Sequence, residues 1–263
     1  MIKLRKYLTI ARISFQNALA YRAQVLSKFV FYTIFIYVFM RLWTTIYQSG
    51  SVQGYTLTQI VWYLIMTELI AFGFSTNIYH TMNEEVRSGG IAYTINRPTH
   101  YVLYQYTNAL GQMLLNICLF SVLAVALGLL FVGPLPMFSF ANLPAIALSV
   151  LLGLSINFFF HMLIGLSAFV LEDNFALYLI YQKLSFMLGV FLPIEFLPAW
   201  LQTVAKSLPF SYVGWAPARL FVDFSYPLFW QLVPRQLLWL AVVSLATLAA
   251  YRGCVRRLQV NGG

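Results

Sequence analysis

Charged residues are scarce in this sequence: they make up 9% of its 263 residues, and only seven are acidic. Cysteine occurs twice, at Cys118 and Cys254, without neighbours at metal-ligand spacing. A phosphate loop of the form G-x-x-x-x-G-K-[ST], a G-x-G-x-x-G segment and an H-E-x-x-H motif are all missing. We therefore expect this chain to bind no nucleotide, metal or other cofactor itself.

Apolar residues dominate what is present. They make up 61% of the sequence, aromatic residues make up 17%, and the mean hydropathy is +0.78. Soluble domains contain about 45–50% apolar residues, so the composition indicates an integral membrane protein. The net charge of +9 comes from basic residues that flank apolar runs, which indicates contact with anionic lipid rather than with nucleic acid.

Six apolar runs approach the length of about 20 residues that a helix needs to cross a bilayer. They predict an all-α membrane protein whose residues 1–263 form a single transmembrane domain. The predicted spans are 29–47, 60–80, 101–132, 143–171, 176–193 and 235–252. The third and fourth exceed the thickness of the hydrocarbon, so we expect them to tilt or to extend into water.

The distribution of basic residues predicts the topology. Segments 48–58 and 133–142 contain no lysine or arginine, whereas the N-terminal segment carries six, the C-terminal segment three and the 81–100 loop two, Arg87 and Arg97. Because basic residues accumulate on the cytoplasmic side, the termini and the 81–100 loop are predicted to be cytoplasmic. An even number of spans agrees with this arrangement.

Residues 2–22 are amphipathic, and segment 1–27 is predicted to be an interfacial helix that lies in the headgroup layer before the first span. Its predicted apolar face consists of Leu4, Tyr7, Leu8, Ala11, Phe15, Ala18 and Leu19.

A second amphipathic helix is predicted on the outer side, within 194–234. Prolines divide this segment into short pieces, and a re-entrant turn that packs against other helices is compatible with it. The predicted apolar face consists of Leu197, Trp200, Leu201, Val204 and Leu208, and the polar face of Gln202, Thr203, Lys206 and Ser207. We take Glu195, Pro198 and Trp200 as a candidate extracellular gate region.

Four charges are predicted at membrane depth, where an ionisable group is costly and often functional. They are Arg41, Glu68, Lys183 and, at the edge, Glu195. Arg41 and Glu68 lie at similar depth, so they either pair, or Arg41 extends towards the outer surface while Glu68 makes a contact between helices. Lys183 either pairs with Glu172 or Asp173 or faces the substrate path. We predict all three residues, Arg41, Glu68 and Lys183, as candidates for that path.

The segment 83–98 is a charged island between two apolar runs. It reads NEEVRSGGIAYTINRP and holds Glu84, Glu85, Arg87, Gly89 and Arg97. The segment carries more charge than a turn requires, so we expect it to contact something in the aqueous phase; a solvated loop without a partner is the alternative. Glu84–Glu85 also starts like the motif of prenyl-processing membrane proteases, but Gly89 stands where that motif has arginine, and a loop would not raise a carboxylate pKa.

Three stretches, in this order and spacing, resemble the membrane subunit of ATP-binding-cassette exporters of the type-two permease family. They are LTIARISFQNALAYRA before the first span, EEVRSGGIAYTINRP between the second and third spans, and GVFLPIEFLPAWLQTVAKSLPFSY before the last span. The resemblance covers essentially the whole chain. In that family the second stretch is the cytoplasmic coupling helix.

The resemblance implies a permease in a prokaryotic plasma membrane that acts as a homodimer or pairs with a related permease. Two copies of a soluble ATPase would hold ATP and Mg²⁺ and contact Glu84, Glu85, Arg87, Gly89 and Arg97. The family exports drugs, antibiotics, lipids and glycans, and the many aromatic residues favour a hydrophobic or amphipathic compound. A channel or secondary transporter not driven by ATP is the alternative, although the inverted repeat typical of such transporters is not evident.

Overall fold

The computed structural model describes residues 2–19, 22–50, 54–74, 77–95, 99–136, 138–171 and 173–261. Within these ranges the chain is helical and has no β-strand. The α-helices in this part of the chain are α1 (Ile2–Ala18), α2 (Arg22–Ser49), α3 (Leu57–Gly73), α4 (Ile78–Arg87), α5 (Ile91–Ile95), α6 (Tyr101–Phe131), α7 (Leu143–Leu166), α8 (Phe175–Ser185), α9 (Ala199–Ser207), α10 (Trp215–Val222) and α11 (Tyr226–Asn261).

Five helical stretches in the described residues are long and apolar enough to cross a membrane. They are Leu26–Ser49, Leu57–Arg87, Tyr101–Phe131, Phe140–Phe169 and Tyr226–Arg256. The predicted all-helical membrane protein is therefore confirmed, and five of the six predicted spans overlap these stretches.

The sixth predicted span, 176–193, is not confirmed by length. It corresponds to a shorter apolar helix, Phe175–Val190, in which α8 continues as the π-helical turn Phe186–Val190. The helix ends shortly before Pro193, and proline has no backbone N–H with which to continue a helix.

Helix α3 forms the centre of the bundle. Residues 60–70 are all buried, and the helix begins at a capping box formed by Thr56 and Gln59. A Cβ atom on Gly128 of α6 would lie only 2.3 Å from the ring of Trp62, so glycine at this position allows α6 to pack closely against α3.

Helix α1 packs against the first half of α6. The Ser14 hydroxyl donates a hydrogen bond of 2.6 Å to the carbonyl of Asn108, and a Cβ on Gly111 would lie 2.2 Å from the Ala11 carbonyl oxygen. The predicted apolar face is partly wrong, because Ser14 is buried whereas Leu8 is 61% exposed. Contact with α6, rather than hydrophobicity alone, selects the buried side. Location in the headgroup layer stays a prediction.

The chain between α8 and α11 folds back into the bundle as two helices, which corrects the prediction of one outer helix in 194–234. Helix α10 is buried against α3 and α7. A Cβ on Gly153 of α7 would lie 2.5 Å from the carbonyl oxygen of Val213, and one on Gly214 would lie 2.4 Å from that of Gly189. Glycine at these positions lets the backbones touch.

The last helix is longer than the predicted span 235–252. It begins at Tyr226, contains Pro234 and continues to Asn261. The hydropathy pattern missed the C-terminal end because the last turns carry Arg252 and Arg256. A helix can extend past the hydrocarbon into water, where charged side chains are tolerated.

A buried polar contact joins α11 to α7 and to the chain before α10. The Gln236 amide nitrogen donates hydrogen bonds of 3.0 Å to the carbonyls of Ser149 and Tyr212. Its amide oxygen accepts a hydrogen bond of 2.8 Å from the Ser149 hydroxyl. Both side chains are completely buried, so these groups have protein partners instead of water.

We predict that Gln236→Leu lowers the free energy of unfolding by about 1–2 kcal/mol, since the contact links transmembrane helices. Denaturation of the purified protein in mild detergent measures the change. Gln231→Leu, at an exposed position of the same helix, is the matched control and should unfold like the wild type. Equal midpoints for the two variants would show that this contact does not stabilise the bundle.

Candidate functional site

The charged segment 83–98 begins as helix, which corrects the expectation that its two glutamates lie in a loop. Glu84 and Arg87 lie in the last turns of α4, and both are exposed. Gly89 has a φ of +71°, a left-handed conformation that glycine adopts without strain. It turns the chain from α4 into the short helix α5.

Glu85 has an internal partner. Its carboxylate accepts a hydrogen bond from the Tyr101 hydroxyl, which itself accepts one of 3.0 Å from Gln105. The Tyr101 ring is buried and stacks on Tyr251, with 5.8 Å between the ring centroids. Glu85 therefore connects the end of α4 to the start of α6, and through Tyr101 to α11.

Arg87 reaches the link between α7 and α8. Its guanidinium lies 3.9 Å from the carboxylate of Asp173, and the two side chains are 50% and 76% exposed. An ion pair with this exposure is screened by solvent and adds little stability. It nevertheless brings the end of α4 next to the chain that leads into α8.

Tyr93 is the most exposed side chain of its size in this segment, at 84%. It lies on α5, next to exposed Ala92. Exposed tyrosines are frequent anchors of protein interfaces. Sequence reasoning concentrated on the charges and missed this residue, although an aromatic side chain within a charged island was the available signal.

Two residues named from the sequence, Arg97 and Glu172, lie outside the described residues. Lys183 is exposed on α8, and within the described part of the chain it makes no ion pair with Asp173. It therefore remains a candidate for the substrate path.

The possible pair between Arg41 and Glu68 does not form. On α2 the side chains of Tyr32, Ile36 and Trp43 are buried, whereas Arg41 lies on an exposed side of that helix. Glu68 is buried in α3 and, among the described residues, has no hydrogen-bond or ion-pair partner. A carboxyl group in this position is unusual inside a membrane protein and often has a function.

We call the end of the bundle that carries α1, Arg87 and Arg252 the basic end.

A polar cluster lies at the opposite end, around Glu195. The Glu195 carboxylate accepts hydrogen bonds from the Tyr55 hydroxyl at 3.1 Å and from the Trp215 indole nitrogen at 3.2 Å. Arg219 of α10 lies 3.6 Å from the same carboxylate. The cluster fixes the chain after α8 to the start of α3 and to α10.

Arg219 was not singled out in the sequence. It also pairs with Asp223 at 2.9 Å, and its guanidinium lies 5.1 Å from the centre of the Tyr55 ring, a cation–π distance. An arginine inside the otherwise apolar stretch that became α10 was the available signal. Its acidic partner Glu195 is distant in sequence, so the pairing required the fold.

Tyr55 lies outside the spans, and its hydroxyl remains protonated in this setting. Burial raises the pKa of Tyr55, and the neighbouring Glu195 carboxylate raises that pKa further, while Arg219 acts in the opposite direction. At neutral pH Tyr55 is therefore a hydrogen-bond donor to Glu195.

Helix α9 forms as predicted, but with a different buried face. It begins after Pro198, and Trp200 is 70% exposed. Ala205 is buried instead, and the Gln202 amide donates hydrogen bonds to the carbonyls of Glu195 and Leu197. Gln202 is on the inner side because it satisfies these carbonyls, whereas hydropathy alone placed it on the polar face.

A family model described as ABC-2 family transporter protein matches residues 23–262. The chain belongs to the ABC-2 transporter family. Neither the curated proteins nor the solved structures include a significant match to this permease.

Membership in the ABC-2 family confirms the resemblance seen in the sequence. The chain is a transmembrane permease of the ATP-binding-cassette type, a membrane subunit that is typically not catalytic itself. Permeases of this family work in general with an ATPase subunit of that type.

We predict that Arg219→Gln destabilises this ABC-2 permease by about 1 kcal/mol, because it removes the cation beside the largely buried Glu195 carboxylate and the exposed Asp223. Thermal unfolding in detergent measures the effect. Arg235→Gln, at an exposed position of α11, removes the same charge elsewhere and should leave the unfolding temperature unchanged. Equal shifts for both variants would contradict a stabilising role for the Glu195 cluster.

Proposed function

We propose that this permease is the transmembrane subunit of an ATP-driven exporter and that separate ATPase subunits drive it through the segment 84–95. One observation carries the proposal: Glu84, Arg87 and Tyr93 are exposed together on α4 and α5, at the basic end of an ABC-2 permease. A chain without a phosphate loop needs a partner to use ATP.

The contacts of this segment are suited to transmit movement. Helix α5 and the last turn of α4 form a short exposed segment, which we call the lever. The exposed ring of Tyr93 would be its main contact with the ATPase. Glu85 joins the lever to α6 through Tyr101, and Arg87 joins it to the α7–α8 link through Asp173. Movement of an attached ATPase would therefore reach α6 through the contact between Glu85 and Tyr101, next to the chain that leads into α8.

The proposal includes six membrane crossings with both termini in the cytoplasm of a prokaryotic cell. In support, the chain runs from Asp173 at the basic end through α8 to Glu195 in the polar cluster at the opposite end. Phe175–Val190, though short, thus connects the two ends of the bundle. The concentration of lysine and arginine at the basic end favours its cytoplasmic location.

A dimer of this permease, or a pair with a related permease, would form the substrate path between two copies. Helix α2 is available for this role, since many of its large apolar side chains are exposed in the single chain. A path lined in this way suits a hydrophobic or amphipathic compound, such as a drug, an antibiotic, a lipid or a lipid-linked glycan.

Glu68 is the candidate for an interior contact on that path, and we predict that Glu68→Ala impairs export more than Glu68→Gln. The amide keeps the size and hydrogen-bonding capacity of the carboxyl group, whereas alanine removes both. ATP-dependent export of amphipathic dyes from reconstituted vesicles measures the difference. Full export by Glu68→Ala would remove this residue from the path.

We predict that Glu84→Lys combined with Tyr93→Ala separates ATP hydrolysis from transport while the permease still folds. The two changes reverse a charge and remove an anchor on the exposed side of the segment. The measurements are co-purification of a soluble ATPase with the tagged permease, and export per ATP hydrolysed.

Thr203→Ala combined with Tyr226→Ala changes exposed residues at the opposite end of the bundle and serves as the control. Glu85→Lys is unsuitable as a test of docking, because it would break the internal contact with Tyr101. Normal ATPase binding and normal export by the Glu84/Tyr93 variant would contradict the proposal.

A further inference from the structure

An apolar groove of about 560 Å³ lies on the side of the bundle, between α7, α8 and the end of α11. Its lining includes Leu166, Val170, Leu177, Ile180, Leu184 and Gly253. Leu177 and Ile180 are exposed in the single chain, so the groove opens sideways, towards the surroundings of the bundle. It lies near the basic end, since α7 and α11 both end there.

The hydroxyl groups in the groove already have protein partners. Ser167 donates a hydrogen bond of 2.6 Å to the carbonyl of Ile164, and the Tyr181 hydroxyl donates one to the side chain of Asn157. A ligand with polar groups in the groove would therefore gain few hydrogen bonds. The lining favours a hydrocarbon chain, whose affinity grows by about 0.8 kcal/mol with each buried CH₂ group.

A positive charge lies beside the mouth of the groove. Arg256 follows Gly253 at a spacing of three residues, so the two share one side of α11. Its side chain is exposed, and in the described part of the chain no carboxylate lies within ion-pair distance of it. Basic residues beside a crevice between transmembrane helices attract anionic lipid head groups.

We propose that this groove binds one acyl chain of an anionic phospholipid from the surrounding bilayer, with the head group held by Arg256. The ligand is a resident lipid and not the exported compound. The positive charge of Arg256 favours an anionic phospholipid over a zwitterionic lipid. The apolar lining favours a lipid over a free phosphate compound. The proposal depends on the membrane location of the chain and not on its coupling to an ATPase.

Gly253 allows the groove to be filled without disturbing the fold. A Cβ atom added there meets no atom within 4 Å, so Gly253→Phe adds a ring at the wall of the groove without a clash at its Cβ. Ala241→Phe, at an exposed position farther along the same helix, adds the same ring outside the groove. Comparable unfolding temperatures for the two variants would establish that the fold is intact.

The test titrates the purified full chain in mild detergent with phosphatidylglycerol or with phosphatidylcholine of the same acyl chains, and native mass spectrometry counts the bound lipids. We expect wild type and Ala241→Phe to retain one phosphatidylglycerol, and Gly253→Phe to lose it. Arg256→Gln should weaken the preference for phosphatidylglycerol about fivefold, the effect of one basic residue near a head group. Arg252 is rotated by about 100° around the helix axis from Gly253 and so lies on a different side of α11. Arg252→Gln should therefore leave that preference unchanged.

Three results would overturn the proposal. The first is equal retention of phosphatidylglycerol by Gly253→Phe and wild type, and the second is equal affinity of the wild type for the two lipids. The third is a change of oligomeric state in Gly253→Phe without loss of lipid, which would assign the groove to a contact between copies of the chain.

A second measurement needs no variant. Cys254 lines the groove and is buried, whereas Cys118 is exposed on α6. We expect added phosphatidylglycerol to slow alkylation of Cys254 by an apolar maleimide several-fold, with no change at Cys118. Unchanged alkylation of Cys254 would contradict occupation of the groove.

Discussion

Polar groups inside a bilayer have no water to bond with, and this constraint organises the whole structure. The Gln236 contact satisfies carbonyl groups where α11 crosses α7, and the Glu195 cluster does the same where the chain folds back between α8 and α11. Glycines at the closest crossings allow the backbones to touch, as at Gly153 and Gly214. Glu68 is buried in α3 and, among the described residues, has no hydrogen-bond or ion-pair partner, which is why we connect it with function.

A small number of polar contacts, together with helix α8, also connects the two ends of the molecule. At the basic end, Glu85 and Tyr101 join the exposed segment to α6, and Arg87 joins it to the approach to α8. Helix α8 then leads to Glu195 and, through Arg219, to α10. A displacement at the exposed segment thus reaches α6 through Tyr101, and the chain beside the segment continues through α8 to the opposite end.

The membrane class, most helix positions and the family were predictable from the sequence, because hydropathy and a few ordered motifs determine them. The buried side of α1 could not be predicted from the sequence, since contact with α6 places Ser14 inside and leaves Leu8 exposed. Nor could the partner of Glu195, because Arg219 is distant in sequence and meets it only through the fold of the chain around α10. Likewise, charge alone did not show that Glu85 turns inward while Tyr93 faces outward.

In the proposed mechanism an ATPase must dock on the segment 84–95 for export to occur. A photo-crosslinking amino acid in place of Tyr93, introduced in cells that make the intact transporter, tests this directly. We predict a covalent adduct with a soluble ATPase that carries a phosphate loop, and no such adduct when the same group replaces Trp200 at the opposite end. Absence of an ATPase adduct at position 93, or its appearance at position 200, would contradict the account.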